Sequence, residues 1–477
     1  MRRAKIVCTL GPATESPEQV QALVDAGMDV ARINRSHGSA EEAEALIGRV
    51  RAAAEASGRP VAVLVDLQGP KIRLGTFVGD QRVKLDKGDE FTITIDDVLG
   101  TVKRVSTTFK GLPGDCKPGD RLLIDDGNVA VRVTAVTDTD VITKVEVPGY
   151  VSNHKGLNLP GVAVSVPALS EKDREDLRWA LTRADADVIA LSFVRSASDI
   201  DDVHAIMDEV GVRLPVIAKI EKPQAVDKLF EIVSAFDGIM VARGDLGVEM
   251  PLEAVPLVQK RAIELARRQA KPVIVATQVL ESMIQNPRPT RAEASDCANA
   301  ILDGADAVML SGETSVGAYP IEAVRTMASI IENVEEHGGE RIPGLGSYPQ
   351  TRGGALTRAA AEMGEHLDVT YLVTFTQSGD TARRLSRLRS PLPLLAFTPL
   401  HETRNQLAVS WGVQCYEVPE VEHTDEMVAQ VDEILQDKHL AQPGDTVVIV
   451  AGMPPGTPGS TNSIRVHTVG ETGDYKV

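Results

Sequence analysis

Aromatic residues are scarce in this chain, Phe, Trp and Tyr together making up 3% of 477 residues. The cores must therefore be aliphatic, and the 43% hydrophobic content is ordinary for a globular protein. Cysteine is scarcer still. Cys8, Cys116, Cys297 and Cys415 lie far apart and form no CxxC pair, which points to reduced thiols rather than a zinc site or a disulfide framework. No apolar run approaches the ~18 residues a membrane span needs, and the opening MRRAKIVCTLGP lacks the apolar core of a signal peptide. The expectation is a cytoplasmic protein with no membrane partner. Basic residues are outnumbered, 50 Lys and Arg against 68 Asp and Glu, for a formal charge of −18. That balance argues against a nucleic-acid partner, and any anionic substrate must be held by a local basic cluster working against the overall field. Familiar nucleotide and hydrolase signatures are missing as well. There is no Gly-Lys dipeptide and so no Walker A loop, no HExxH, and no protein-kinase HRD and DFG pair.

What is present is a repeating pattern. The length suggests roughly three domains at ~150 residues each. Eight short apolar runs recur with helical stretches between them: KIVCTL (5–10), DVARIN (29–34), VAVLVDL (61–67), VIALSF (188–193), VIAKI (216–220), GIMVAR (238–243), VIVAT (273–277) and AVMLS (307–311). Near-continuous apolar runs suit parallel strands buried on both faces, and eight strand–helix units predict a closed (β/α)8 barrel over residues 1–69 and 167–340. The helix predicted over 39–56 carries Ala43, Leu46, Ile47, Val50 and Ala54 on one stripe. Residues 70–166 interrupt the alternation with short Thr- and Val-rich runs and turn signals, which predicts a small β-barrel domain inserted as a lid. After a Gly/Pro-rich linker, residues 341–477 alternate strands and helices again and predict a doubly wound α/β domain.

In such a barrel the polar residues at strand C-termini read as catalytic. Here these are Thr9, Arg32, Asn34, Asp66, Ser192, Lys219, Glu221, Arg243, Asp245, Thr277, Ser311 and Glu313. Any one alone has a plain reading as a helix cap or turn residue. So many meeting at one rim is better read as a shared site. In an extended strand, residues i and i+2 share a face, so Lys219 and Glu221 point into the same space; Asp245 joins them if its strand is the parallel neighbour. Two carboxylates beside an ammonium make a Mg2+ site that also grips an anion, with Lys219 placed to neutralise a transferring phosphoryl group or an enolate. A salt bridge to Glu221 is the alternative for Lys219 and does not exclude that role. Backbone N–H groups at Gly244 and Asp245 can hold a carboxylate, and Arg32 offers a fork for phosphate oxygens. Asn34, Ser36 and Asp66 suit a second, monovalent cation, while His37 alone reads as a turn residue.

The motifs TLGPAT (9–14), ARINRSHG (31–38), DLQGPKIRLG (66–75), KGLNLPG (155–161), AKIEKPQAV (218–226), MVARGDLGVEMP (240–251), ATQVLESM (276–283) and MLSGETSVGAYP (309–320) together resemble the pyruvate kinase family along essentially the whole chain. The resemblance implies phosphoryl transfer from phosphoenolpyruvate to ADP. It gives Arg32 and Lys219 the phosphoryl group, and Glu221 and Asp245 a Mg2+ (or Mn2+) ion. Gly244, Asp245 and Thr277 take the carboxylate, and Thr277, with Ser311 and Glu313, lies near the proton path. It places Asn34, His37, Arg73, Lys155 and Pro12 toward the nucleotide, and Asp126 on the closing lid. It also implies a homotetramer and an allosteric, phosphorylated effector bound at Thr376, Ser378, Gly379 and Thr381; the last loop lacks the tryptophan of fructose-bisphosphate-activated relatives, which favours a monophosphate. Relatives that need K+ read DTKGPEIR where this chain reads DLQGPKIR, so the K+ ligands Asn34, Ser36, Asp66 and the Leu67 carbonyl are joined by Lys71, whose ammonium makes K+ dispensable. A Mg2+-dependent lyase or aldolase acting on a pyruvate enolate is the rival enzyme reading.

Overall fold

A computed structural model describes residues 2–471 apart from 163, 454, 457 and 458, so the final six residues and part of the 453–460 loop lie outside the described residues. Eight parallel strands close into a barrel: β1 (Lys5–Thr9), β2 (Val30–Asn34), β3 (Ala62–Asp66), β4 (Val188–Leu191), β5 (Val216–Ile220), β6 (Gly238–Ala242), β7 (Val273–Ala276) and β8 (Ala307–Leu310). Each pairs with its sequence neighbours and β8 closes on β1. The strands are apolar throughout because they are covered twice. One set of side chains, including Val7, Leu64, Ile217, Met240 and Met309, fills the barrel interior, and the alternate set packs against the surrounding helices. Ala408 and Val409, from the C-terminal domain, join the interior cluster.

Local signals account for the helices. The helix Ala40–Ser57 starts at Ser39, whose hydroxyl accepts the Glu42 N–H at 3.2 Å while the Glu42 carboxylate accepts the Ser39 N–H at 2.9 Å. It ends where Gly58 turns left-handed at φ 65°. The buried stripe is Ala43, Ile47, Val50 and Ala53, with Leu46 and Ala54 only partly covered.

Between β3 and β4 the chain leaves the rim and builds the inserted domain. Its six-stranded sheet runs, edge to edge, through Leu157–Asn158, Arg121–Ile124, Val129–Val136, Asp140–Val147, Glu90–Thr94 and Arg104–Ser106, and a second sheet pairs Val83–Leu85 with Gly149–Val151. The result is a half-barrel of β structure with its own core, including Phe77, Phe91 and Leu122. The C-terminal domain is a five-stranded sheet ordered β11 (Val413–Glu417), β10 (Leu394–Thr398), β9 (Tyr371–Phe375), β12 (Thr446–Gly452) and β13 (Thr461–Thr468). Only β13 is antiparallel. Separate apolar clusters on its two faces hold the helices Arg352–Leu367 and Asp380–Ser386 on one side and Thr424–Asp437 on the other, the doubly wound arrangement.

Candidate active site

Parallel pairing of β5 with β6 sets Lys219 opposite Met240, so the residues just past both strand ends face the same mouth. The Lys219 ammonium sits 2.9 Å from a Glu221 carboxylate oxygen and 3.3 Å from Asp66, and it donates to the Ser192 hydroxyl at 2.8 Å. Three strand ends, those of β3, β4 and β5, thus converge on one nitrogen. Asp66 in turn accepts from Arg32 Nε at 2.7 Å, and Arg32 donates to the Thr9 hydroxyl at 3.0 Å. The row is buried: Asp66 and Glu221 are each 1% exposed.

Burial and charge set its protonation. Burial alone would raise Asp66, but Lys219 and Arg32 overcome it and hold this carboxyl below its usual range. Burial opposes the Lys219 charge, yet Asp66 and Glu221 outweigh it and push the ammonium upward. Glu221 goes the other way. Burial raises its carboxyl, Lys219 pulls it down, and Asp245 raises it again, for a net upward shift. Two crowded carboxylates, one of them held above its range, form a donor set short of positive charge. The second Glu221 oxygen accepts the Phe193 N–H at 2.7 Å, which fixes its plane. This pair fits a hard divalent cation. Among the described residues no group of three His, Cys, Asp or Glu side chains is arranged to hold a metal, so substrate and water would complete any coordination.

Thr277 follows β7 in the left-handed region at φ 68°, and Gln278 repeats it at φ 54°. The Thr277 hydroxyl accepts the Gly244 N–H at 2.7 Å and donates to the Ala276 carbonyl at 2.6 Å. Arg243 does not face the mouth. Its guanidinium donates to the Thr277 carbonyl at 2.8 Å and pairs with Asp296 at 2.7 Å, so it braces the turn from behind. Glu313 is buried and accepts N–H groups from Ser311 at 2.7 Å and Leu280 at 3.2 Å, and burial raises its carboxyl. The Ser311 hydroxyl is buried without a partner.

The half-barrel lid hangs over this mouth. A cleft runs between them, lined by Lys71 and Asp126 from the lid side and by Phe193, Lys222 and Asp245 from the barrel. Lys222 and Asn158 both donate to one Glu249 oxygen, at 2.6 and 2.8 Å, which ties the returning lid segment to the barrel. Arg73 donates to the His154 carbonyl at 3.1 Å, and Lys155 pairs with Asp125 at 2.8 Å. His37 and Pro12 are exposed. The Asn34 side chain accepts the Ser36 N–H at 3.1 Å, and the Leu67 carbonyl accepts the Ser192 hydroxyl at 2.7 Å. Lys71 is exposed and makes no ion pair among the described residues. In the C-terminal domain, Thr376, Ser378 and Thr381 line a separate pocket, with left-handed Gly379 at φ 78° starting the adjoining helix. Phe193, Lys222 and Glu249 were not singled out in the sequence. Only Lys222, next in line to Glu221, carried a readable signal.

The rim, the inserted lid and the sheet domain match two families in order, pyruvate kinase barrel domain over residues 1–324 and pyruvate kinase alpha/beta domain over residues 354–467. The chain belongs to the pyruvate kinase family. As a member it is a phosphotransferase. It is 58% identical to the pyruvate kinase of Mycobacterium tuberculosis over 98% of this chain and 99% of that one, and 57% identical to that of Corynebacterium glutamicum over 98% of each. The crystal structure of a pyruvate kinase from Cryptosporidium parvum superposes with a TM-score of 0.91 at 33% identity, covering 98% of this chain and 96% of that one.

Proposed function

We propose that the rim cluster transfers the phosphoryl group of phosphoenolpyruvate to ADP, giving pyruvate and ATP. The observation that carries this reading is one buried ammonium, Lys219, seated between Asp66 and Glu221 with Asp245 beside them. In the transfer, the bond from phosphorus to the enol oxygen breaks, a bond to the terminal oxygen of ADP forms, and the enolate takes a proton at carbon. Lys219 and Arg32 face charge on the phosphoryl oxygens, Lys219 as a point charge and Arg32 through the N–H groups not given to Asp66. Glu221 and Asp245 would hold a Mg2+ or Mn2+ ion, which would supply neutralising positive charge for the transfer. Gly244, Asp245 and Thr277 orient the substrate carboxylate. The Thr277 hydroxyl, already both donor and acceptor, moves the proton toward the enolate carbon. Asn34, His37, Arg73 and Lys155 line the approach of ADP, and closing of the lid excludes water.

A coupled assay of the purified chain tests the reaction. Pyruvate should form from phosphoenolpyruvate only when ADP and a divalent cation are both present; release without ADP would favour the lyase reading. For the monovalent site at Asn34, Ser36, Asp66 and the Leu67 carbonyl, the unpaired Lys71 ammonium stands in for K+. For regulation, the pocket at Thr376, Ser378, Gly379 and Thr381 takes a phosphorylated monophosphate effector, and a homotetramer carries its signal. Ser378→Ala should abolish activation while basal turnover persists; unchanged activation would move the effector elsewhere. The barrel at 1–69 and 167–340, the lid at 70–166 and the regulatory domain at 341–477 are the units that would move.

A further inference from the structure

Lid and barrel meet at one buried carboxylate, that of Glu249, which is 5% exposed. Asn158 lies on the lid strand Leu157–Asn158 and pairs there with Leu123 of the six-stranded sheet, so it moves with the lid. Its side-chain amide donates to Glu249 Oε1 at 2.8 Å, and Lys222 Nζ donates to the same oxygen at 2.6 Å. Among the described residues the Asn158 bond is the one that joins a side chain of the lid to a side chain of the barrel. The hinge is held separately. Further along the returning chain, Arg195 donates to the Val164 and Val166 carbonyls at 2.5 and 2.6 Å. Glu249 ends the helix Arg243–Glu249, whose first turn holds Asp245. Seven residues span about 10 Å, and Leu246, fully buried against Val255 and Val258, pins the helix midway. Lys222 directly follows Glu221 and stands 5.3 Å from the centre of the Phe193 ring, while the Phe193 N–H fixes the Glu221 carboxylate at 2.7 Å. Both candidate cation ligands therefore lie one short step from the Glu249 oxygen.

We propose that Glu249 is a positioning residue: Asn158 reports the position of the lid to it, and the Arg243–Glu249 helix and Lys222 pass that position to Asp245 and Glu221. The inference rests on the reading that Glu221 and Asp245 hold a divalent cation. Both bonds to Glu249 are charge-assisted, the stronger class, and a buried carboxylate that loses a donor is destabilised. When the lid swings away, Glu249 keeps Lys222 alone. The end of the helix and the residue beside Glu221 then readjust together, and the spacing of Asp245 and Glu221 changes with them. A ligand shifts a two-state equilibrium only if it binds the two states unequally. A cation shared by those two carboxylates meets that condition. Coupling of this kind is reciprocal: the tied lid tightens the cation site, and cation binding favours the tied lid.

Two measurements on the full chain test the proposal, neither of which needs turnover. All four native cysteines are buried, so spin labels at Lys144→Cys on the lid and Glu231→Cys on the barrel report the distance between the two. Mn2+ affinity is read by electron paramagnetic resonance without substrate. Asn158 is half-buried, so Asn158→Ala leaves the fold intact. It should lengthen and broaden the label distance, abolish the shortening that Mg2+ produces in the parent chain, and weaken Mn2+ about five- to tenfold, the low end of coupling between sites. Glu249→Gln should weaken Mn2+ at least as much, and the double variant no further than Glu249→Gln alone, because both interrupt one path. Additive losses, unchanged Mn2+ affinity in Asn158→Ala, or a label distance that still responds to Mg2+ in that variant would overturn the proposal. Glu221→Gln separates the two readings. Loss of Mn2+ in Glu221→Gln beside full affinity in Asn158→Ala overturns the coupling alone, whereas no binding in the parent chain, or binding indifferent to Glu221→Gln, overturns the cation site and the coupling with it.

Discussion

Replacing Lys219 with methionine keeps most of the volume and deletes the charge on which three strand ends converge. The ammonium lies 2.9 Å from Glu221 and 3.3 Å from Asp66. At an effective dielectric near 20 each contact is worth about 5 kcal/mol of attraction, offset by desolvation of the ammonium and by repulsion from Arg32. Asp66 keeps Arg32 as a partner, so the uncompensated charge falls on Glu221. Breaking a buried pair in this way costs about 3–5 kcal/mol. The cost has a pH signature. Glu221 already sits above its ordinary value of 4.5, and without Lys219 its carboxyl climbs further. The folded chain then holds a proton that the unfolded chain has released, so the stability deficit of Lys219→Met grows as pH rises from about 4.5. Turnover should fall about 10³–10⁵-fold, the range for losing a cation that faces a transferring phosphoryl group. Exchange of pyruvate methyl protons with solvent, which needs no phosphoryl transfer, should fall far less. Urea melts across pH and parallel assays of the two reactions check this. A kcat within tenfold of the unaltered chain, or equal losses in both reactions, would refute the role given to Lys219.

Mn2+ affinity, read by electron paramagnetic resonance, should rise about tenfold per pH unit until the raised Glu221 carboxyl has ionised and then level off, because cation binding displaces its proton; a flat profile would mean that Glu221 is not a ligand. Gly69 adopts φ 75°, and a Cβ there would lie 2.5 Å from the Phe193 ring and 2.8 Å from Ser192. Gly69→Ala should therefore destabilise by about 1–3 kcal/mol and reduce turnover by disturbing the anchors of Lys219 and Glu221, measurable by denaturant titration and steady-state rates. Thr277→Val should slow methyl-proton exchange of pyruvate more than phosphoryl transfer; the reverse order would remove Thr277 from the proton path. Lys71→Glu should create a K+ requirement in the steady-state assay, and an enzyme equally active in Na+ and K+ would count against the substitution of ammonium for ion.

The barrel was legible because strands covered on both faces must be apolar end to end, which leaves eight recognisable runs and a polar residue at nearly every exit. Lys219 and Glu221 were readable as a pair since strand geometry alone puts i and i+2 on one face. Asp66 as their shared partner was not, because its contacts to Arg32 and Lys219 join residues far apart in sequence. Arg243 misled for a related reason. A strand end says where the backbone leaves, while the direction of a long side chain depends on Asp296 from the helix that follows the next strand. The left-handed turn at Thr277 and Gln278 is carried by non-glycine residues, so nothing in the letters announces it.

The row from Arg32 through Asp66, Lys219 and Glu221 to Asp245 alternates in sign until its last step, where two carboxylates adjoin. Two cations against three carboxylates leave the row one negative charge, inside a chain that already carries −18. An anionic substrate approaching that mouth meets repulsion, whereas a divalent cation is drawn in and reverses the sign of the local field. On the proposed function the two ligands would be electrostatically conditional on each other: the cation would prepare the landing place of the anion, and loss of the anion would weaken the hold on the cation. Written into one row of five side chains is an order of arrival.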